Sequence, residues 1–288
     1  MYSTATLAHS GQQASRPESS RGGARSAQSR FESDGNVVRL PRLTAAEPPP
    51  VLAERQPTVQ LHVLGGFRLL VDGDLVNVGT TSQRLLAVVA CRGRQATRAQ
   101  VAHALWPDTT SERALANLRT ALYRMFKSGP RVLHATNRHI QLNVGIQIDV
   151  EQTTKLANRI LGSDVLRDET LVEDVLSANL YDDLLPDWDE EWLSDYQGRY
   201  RQLRLTALET LSGHLSTIGH HGGSVQAALA AVQADSLRDS AHETLIRAYL
   251  AQGNRREAFA HYGTYRRLLR DELGVDPPAS IGRLLTSA

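Results

Sequence analysis

Apolar residues recur with helical spacing in the stretch Ser111–Lys127. Leu115, Leu118, Leu122 and Met125 are three or four positions apart, so they share one face of a helix. The opposite face is cationic and polar, and the only carboxylate of the stretch is at its N-terminal end, where the helix dipole favours negative charge. The pattern predicts an amphipathic helix with an apolar back and a hydrogen-bonding front.

The front of this helix carries side chains suited to contact a nucleic acid. In the DNA major groove Arg pairs with guanine and Asn with adenine, while Lys and Arg neutralise phosphate. The residues predicted to contact base edges or nearby phosphates are Arg113, Asn117, Thr120 and Arg124. The residues predicted as phosphate anchors are Arg119, Lys127 and, from a hairpin beyond the helix, Arg138. Taken alone, the helix also fits an ordinary surface helix with solvated arginines.

The neighbouring patterns place this helix in a domain. Alternating apolar residues in 58–79 predict a small antiparallel sheet with a tight turn at Asp72-Gly73. Two helices are predicted before Ser111–Lys127, at Ser82–Cys91 and at Arg98–Leu105, the second capped by Thr97. Two strands are predicted after it, at Arg131–His134 and His139–Asn143. An N-terminal β-sheet, three helices and a C-terminal hairpin form an α+β winged helix-turn-helix domain. Its last helix would enter the major groove, and its hairpin would meet adjacent backbone or the minor groove.

From residue 150 onwards the pattern is helical. Gly219 and Gly253 lie 34 residues apart and each is predicted to end a helix, which is typical of tetratricopeptide-like repeats. The helices are predicted at Val150–Leu161, Glu169–Ala178, Glu190–Thr217, Val225–Ala234, Ser240–Gln252 and Arg255–Leu273, with a loop at IGHHGGS. The aromatic residues predicted as core are Trp188, Trp192, Tyr196 and Tyr200. The pattern therefore indicates an all-α helical repeat domain after the winged helix.

Composition and charge divide the chain into three parts. Residues 1–57 are rich in Ser, Arg, Gly, Gln, Ala and Pro and are predicted to be a disordered tail. Residues 58–149, the predicted DNA-binding domain, carry eleven Lys and Arg against five acids, a net charge of +6. Residues 150–288, the predicted helical domain, carry fourteen Lys and Arg against twenty-one acids, a net charge of −7. This asymmetry indicates that one domain meets a polyanion and the other meets protein, although charge alone leaves RNA or a membrane surface open.

Several kinds of chemistry find no support in the sequence. Cys91 is the only cysteine, so an intrachain disulfide and a cysteine metal cluster are excluded. We predict that the Cys91 side chain is buried and packs as a small hydrophobic group. The adjacent His220-His221 and the strand residues His134 and His139 are interpreted as polar surface, without a metal role. No catalytic motif occurs, so we expect no enzyme activity and no cofactor. The absence of a long apolar stretch or a secretory signal favours the cytoplasm without a membrane partner.

Two groups of motifs carry a family resemblance. Residues 58–150 resemble winged-helix domains of the OmpR type, and LGGFRLLVDG, QRLLAVV, ALWPD and ERALANLRTALYRM resemble the N-terminal domain of the actinobacterial antibiotic regulatory family. YDDLLPDWDEEWLSDYQGRYRQL and the ending DELGVDPP resemble the bacterial transcriptional activation domain of that family. The hairpin TNRHIQLNV departs from the Gly-Tyr or similar pair that such domains usually carry.

The resemblance implies a function and its partners. Such a protein would be a sequence-specific activator of a secondary-metabolite (antibiotic) gene cluster. It would bind direct repeats of double-stranded DNA near promoters, as a homodimer on DNA, and recruit RNA polymerase holoenzyme. The alternative is a helical-repeat interaction adaptor with only non-specific affinity for DNA.

Overall fold

The computed structural model describes residues 57–162 and 180–287. The predicted tail, apart from residue 57, and the predicted helix Glu169–Ala178 lie outside the described residues. The strands are β1 Val59–His62, β2 Arg68–Val71, β3 Asp74–Leu75, β4 Gln95–Thr97, β5 Leu133–Ala135, β6 His139–Leu142 and β7 Gln147–Ile148. The helices are α1 Thr80–Cys91, α2 Arg98–Leu105, α3 Ser111–Ser128, α4 Asp149–Leu161, α5 Glu191–Thr217, α6 His221–Ala234, α7 Asp239–Ala251, α8 Arg255–Leu273 and α9 Ala279–Ser287.

The first sheet has four strands in the order β3-β2-β1-β7. The predicted tight turn is confirmed, because Asp72 and Gly73 both have positive φ angles, 53° and 90°, as a two-residue hairpin turn of type I′ requires. The fourth strand of this sheet, β7, was not predicted. It follows the C-terminal hairpin and pairs in parallel with β1, with Leu61 opposite Ile148. The sheet is therefore not purely antiparallel, and it holds the end of the winged-helix region against its beginning.

The C-terminal hairpin belongs to a second sheet of three strands, in the order β4-β6-β5. The predicted hairpin of β5 and β6 is confirmed. The third strand, β4, was not predicted, because three residues are too few to display an alternating pattern. Thr97 ends β4 and caps α2 as predicted: its hydroxyl accepts the Gln100 N–H, and the Gln100 side chain accepts the Thr97 N–H. The wing is thus tied directly to the start of α2.

Helix α3 has the faces that the sequence predicts. It runs from Ser111 to Ser128, with the Thr110 hydroxyl capping its N-terminus. Leu118, Leu122 and Met125 are buried against α1 and α2, which fixes the opposite face toward solvent.

The helices after residue 190 pack in succession, α5 against α6, α6 against α7 and α7 against α8. Gly219 and Gly253 have the same φ angle of 82°, and the residue after each donates to the carbonyl five positions earlier, His220 to Leu215 and Asn254 to Tyr249. These equivalent helix ends agree with the predicted repeat. The predicted loop is wrong at its C-terminal end, since α6 begins four residues earlier than expected and includes Gly222 and Gly223. Helix α9 was not predicted.

One apolar core joins the winged helix to the helical region. Leu184, Leu185, Leu193 and Tyr200 pack in the same cluster as the first sheet and helices α1 to α3. The backbone continues the contact, because the Leu185 N–H donates to the Val63 carbonyl at 2.8 Å. The described residues, 57–162 and 180–287, accordingly lie within one compact unit. The predicted limit between residues 149 and 150 falls in the first turn of α4, and the domain limits remain predictions.

Candidate nucleic-acid interface

The outer face of α3 exposes the side chains predicted to contact DNA. Arg113, Arg119, Thr120, Arg124 and Lys127 are exposed, and Asn117 is half-buried. The back of the helix lies in the core, so the backbone that carries these side chains is held in place. The structure therefore presents a rigid, exposed cationic face.

The cations of this face lack carboxylate partners within the described ranges 57–162 and 180–287. This holds for the four basic residues of α3, which are Arg113, Arg119, Arg124 and Lys127, and for Arg138 in the wing. Several arginines of the helical region are paired instead: Arg204 with Asp183 at 2.7 Å, Arg238 with Glu209 at 2.7 Å, and Arg247 with Glu243 at 2.6 Å. The positive charge of α3 is thus left for a partner outside the described chain, and phosphate is a suitable one.

Three of the predicted residues share a groove. Asn117, Thr120 and Arg124 line a depression of about 750 Å³ between α3 and the segment that leads into α1. The Thr120 hydroxyl also donates to the Ala116 carbonyl at 3.2 Å, which fixes its rotamer. The other predicted residues of α3 do not line this groove and lie elsewhere on its exposed surface.

The far wall of the groove was not predicted to take part. It includes Thr80, Thr81 and Ser82, the first turn of α1, which contains no acidic side chain. The N-terminus of a helix carries free N–H groups and a partial positive charge, so this wall is also compatible with an anion. No sequence signal distinguishes this helix start from others, because its position beside α3 depends on tertiary packing.

The wing tip is braced by α2. Arg138 is exposed in the turn between β5 and β6, where the Thr136 hydroxyl accepts the N–H groups of Arg138 and His139 at 3.3 and 3.0 Å. The Arg98 guanidinium donates to the Thr136 carbonyl at 2.8 Å, and the Arg98 N–H donates to the Arg138 carbonyl at 3.0 Å. Sequence reasoning missed Arg98 because its partners lie about forty residues further along the chain.

Other candidate chemistry is structural where it is described. Cys91 is half-buried and not fully buried as predicted, and the loss of hydration raises the pKa of its thiol to about 12, so the group stays protonated. His220 is exposed as predicted, whereas His221 is half-buried in the first turn of α6. Among the described residues no group of three His, Cys, Asp or Glu side chains is arranged to hold a metal ion. Nor does any described helix have the length and apolar character needed to cross a bilayer.

Known proteins resemble this chain in both its winged-helix region and its helical region. Residues 175–287 match the family model of the bacterial transcriptional activator domain. The chain is 32% identical over 248 residues to the regulatory protein AfsR of Streptomyces coelicolor, an alignment that covers 82% of this chain and 24% of that protein. It is 27% identical over 271 residues to AfsR of Streptomyces griseus, covering 87% and 26%. The chain therefore spans about a quarter of the length of these curated relatives.

A solved structure has the same architecture. EmbR of Mycobacterium tuberculosis, in a complex with a low-affinity phosphopeptide, superposes with a TM-score of 0.62 at 20% identity, covering 81% of this chain and 65% of that one. At this identity the likeness concerns the fold. It confirms the predicted fold class, a winged-helix region followed by an all-helical activator region.

Proposed function

We propose that this chain is of the antibiotic regulatory type, a winged helix-turn-helix followed by a bacterial transcriptional activator domain, and that it is a sequence-specific, DNA-binding transcriptional activator. The observation that carries the proposal is the exposed face of α3, whose cations have no carboxylate partner among the described residues. The major groove of B-DNA is about 12 Å wide and admits an α-helix. Arg, Asn and Thr side chains on such a helix read base edges while flanking cations hold phosphates.

The side chains of α3 divide into two roles in this proposal. Asn117, Thr120 and Arg124 share the groove and Arg113 lies near the N-terminal end of the helix, so we assign these four to base edges or nearby phosphates. The phosphate anchors are Arg119, Lys127 and Arg138. Arg138 is well placed for this role because the turn that carries it is braced by hydrogen bonds from α2.

The helical region supplies protein contacts in this proposal. Its part of the chain, residues 150–288, has a net charge of −7, which is unsuited to DNA. Phe259, Leu273 and Val275 expose half or more of their side-chain surface in and beside α8, as side chains at a protein interface often do before assembly. We assign to this region recruitment of RNA polymerase holoenzyme and pairing as a homodimer on DNA.

The finer points of the proposal follow from the family resemblance. The operator would be a direct repeat near a promoter, so two copies of the chain would bind head to tail and not about a two-fold axis. The regulated genes would be a secondary-metabolite cluster. The proposed division of labour places the DNA-binding domain at 58–149, the activation domain at 150–288 and a disordered tail at 1–57.

Selection of bound duplexes from random double-stranded DNA tests the proposal, using the full chain. A recovered motif, bound at least a hundredfold more tightly than its scrambled sequence at the same salt concentration, supports sequence-specific recognition. Equal affinity for the two duplexes would contradict it and would favour the helical-repeat adaptor with non-specific DNA affinity. The comparison must be made at several salt concentrations, since phosphate contacts alone give affinity that falls steeply with salt.

A further inference from the structure

A cavity lies where the winged helix meets the helical region. Its volume is about 480 Å³, within the range of about 300–1,000 Å³ typical of small-molecule sites. Its walls come from the C-terminal end of α1, the first turns of α4 and the middle of α5. We call it the junction cavity, and its lining includes Cys91, Lys155, Leu184, Tyr196, Arg199 and Tyr200.

The lining is mainly apolar and aromatic. Leu184 and Tyr200 are buried members of the shared core, and the Tyr196 ring packs against that core. The half-buried Cys91 contributes a neutral, weakly polar surface, since partial desolvation raises the pKa of its thiol and keeps it protonated. Such walls favour an occupant with a largely apolar and partly aromatic body.

Two cations stand at the rim. Lys155 and Arg199 are both exposed, and neither has a carboxylate partner in the described parts of the chain. The Arg199 guanidinium stacks over the Tyr196 ring at 5.0 Å and donates to the Asp195 carbonyl, which orients it. The carboxylate in the lining, that of Glu151, forms a salt bridge with the Arg94 guanidinium at 2.8 Å. The mouth of the cavity is therefore positive and complements an anionic group.

A buried polar group within the lining is unsatisfied. The Tyr200 side chain is 7% exposed, and its hydroxyl has no hydrogen-bond partner among the described residues. A buried hydroxyl without a partner is costly, so most are paired with protein, water or a ligand. Burial also raises the pKa of this phenol, so the hydroxyl remains a donor. The hydroxyl itself is almost inaccessible to solvent, so it is a donor in the core behind the cavity wall and not a contact for a molecule in the cavity.

We propose that the junction cavity binds an amphipathic organic acid, a small molecule with an apolar, partly aromatic body and one anionic group. The body lies against Leu184, Tyr196 and Tyr200, and the anionic group lies between Lys155 and Arg199. Because the walls belong to both regions of the chain, such a molecule restrains their junction. The proposal does not depend on DNA binding, since occupancy is measured directly.

Two dyes with the same aromatic body test the site on the full chain. 8-Anilinonaphthalene-1-sulfonate carries one anion, and N-phenyl-1-naphthylamine carries none. We expect saturable fluorescence enhancement by the sulfonate with one site per chain. The double variant Lys155→Met and Arg199→Met should weaken sulfonate binding about tenfold and leave the neutral dye unchanged. The double variant Arg201→Met and Arg267→Met, at exposed positions outside the lining, also removes two positive charges; it is the matched control and should bind both dyes normally.

A second variant keeps the proposal falsifiable if dye binds elsewhere. Thr154 lines the cavity and is half-buried, so Thr154→Trp should fill the mouth and abolish binding of both dyes, with an unchanged circular dichroism spectrum as the check on folding. Sulfonate binding that survives Thr154→Trp, or that ignores the loss of both rim cations, would overturn the proposal. So would the absence of saturable sulfonate binding to the unaltered chain.

Discussion

Both carboxylate oxygens of Asp149 lie 3.0 Å from the N–H of Val63, 86 residues earlier in the chain. One of them also accepts the N–H of Leu64 at 3.0 Å, so the first residue of α4 completes the backbone hydrogen bonding at the end of β1. Asp149 is buried, and burial raises the pKa of its carboxyl even though the N–H donors favour the charged form. This one side chain fastens the helical region to the sheet that supports α1 to α3.

Removing this carboxylate should destabilise the whole described unit. Asp149→Ala leaves the buried N–H groups of Val63 and Leu64 without partners, which should lower the free energy of unfolding by about 2–4 kcal/mol. Urea unfolding followed by circular dichroism measures the change. Asp195→Ala, which removes an exposed carboxylate from α5, is the control and should cost less than about 0.5 kcal/mol. Equal effects of the two substitutions would contradict the assigned role.

The shared core predicts that the winged helix and the helical region unfold together. Trp106, Trp188 and Trp192 all pack against this core, whereas most of the circular dichroism signal comes from the helices. Transitions followed by tryptophan fluorescence and by circular dichroism should therefore coincide. Leu193→Ala should lower the free energy of unfolding obtained from each signal by the same amount, about 2–5 kcal/mol. Leu273→Ala, at an exposed position, should leave both values unchanged. Two separated transitions would show that the regions fold independently.

Arg138 should act as a phosphate anchor. Arg138→Ala is expected to weaken binding to the selected motif and to scrambled DNA by the same factor, because phosphates carry no direct sequence information. The slope of the logarithm of affinity against the logarithm of salt concentration should fall by about one unit. Fluorescence anisotropy over a salt series measures both quantities, with Arg267→Ala as the control. A loss confined to the selected motif would instead assign Arg138 to base recognition.

The helical region contains a pH-sensitive pair. His242 Nδ1 and His261 Nε2 are 2.9 Å apart, and burial lowers the pKa of both rings, that of His261 to about 4. The unfolded rings titrate near pH 6.5, so the unfolded chain binds more protons as pH falls from that value. Stability should be full above about pH 6.5 and decrease toward pH 4, by roughly 1–2 kcal/mol for His261 after allowing for solvent screening.

Urea unfolding at pH 7 and pH 5 measures this decrease. His261→Gln keeps a hydrogen-bonding group beside His242 but does not titrate, so its stability should vary less between the two pH values. His220→Gln, which changes an exposed ring, should leave the pH dependence as it is. A pH dependence unaffected by His261→Gln would contradict the assignment.

Local patterns predicted the elements better than their connections. The faces of α3 and the ends at Gly219 and Gly253 follow from spacing and from glycine's tolerance of positive φ, so they were predictable. The strands β4 and β7 have three and two residues, too short for a periodic signal, and depend on partners far away in the chain. The groove wall at the start of α1 and the brace from Arg98 to the wing were missed for the same reason.

The central claim, that the exposed face of α3 reads DNA, is tested most directly by charge reversal in the full chain. The variant Arg113→Glu with Arg124→Glu changes the net charge by four, as does the control Arg201→Glu with Arg267→Glu on exposed positions of the helical region. Fluorescence anisotropy with the selected duplex should show at least about a hundredfold weaker binding for the α3 variant, since each lost base contact costs about 1–3 kcal/mol. The control should lose less than about tenfold. Equal affinities of the α3 variant and the unaltered chain, with folding intact, would contradict the account.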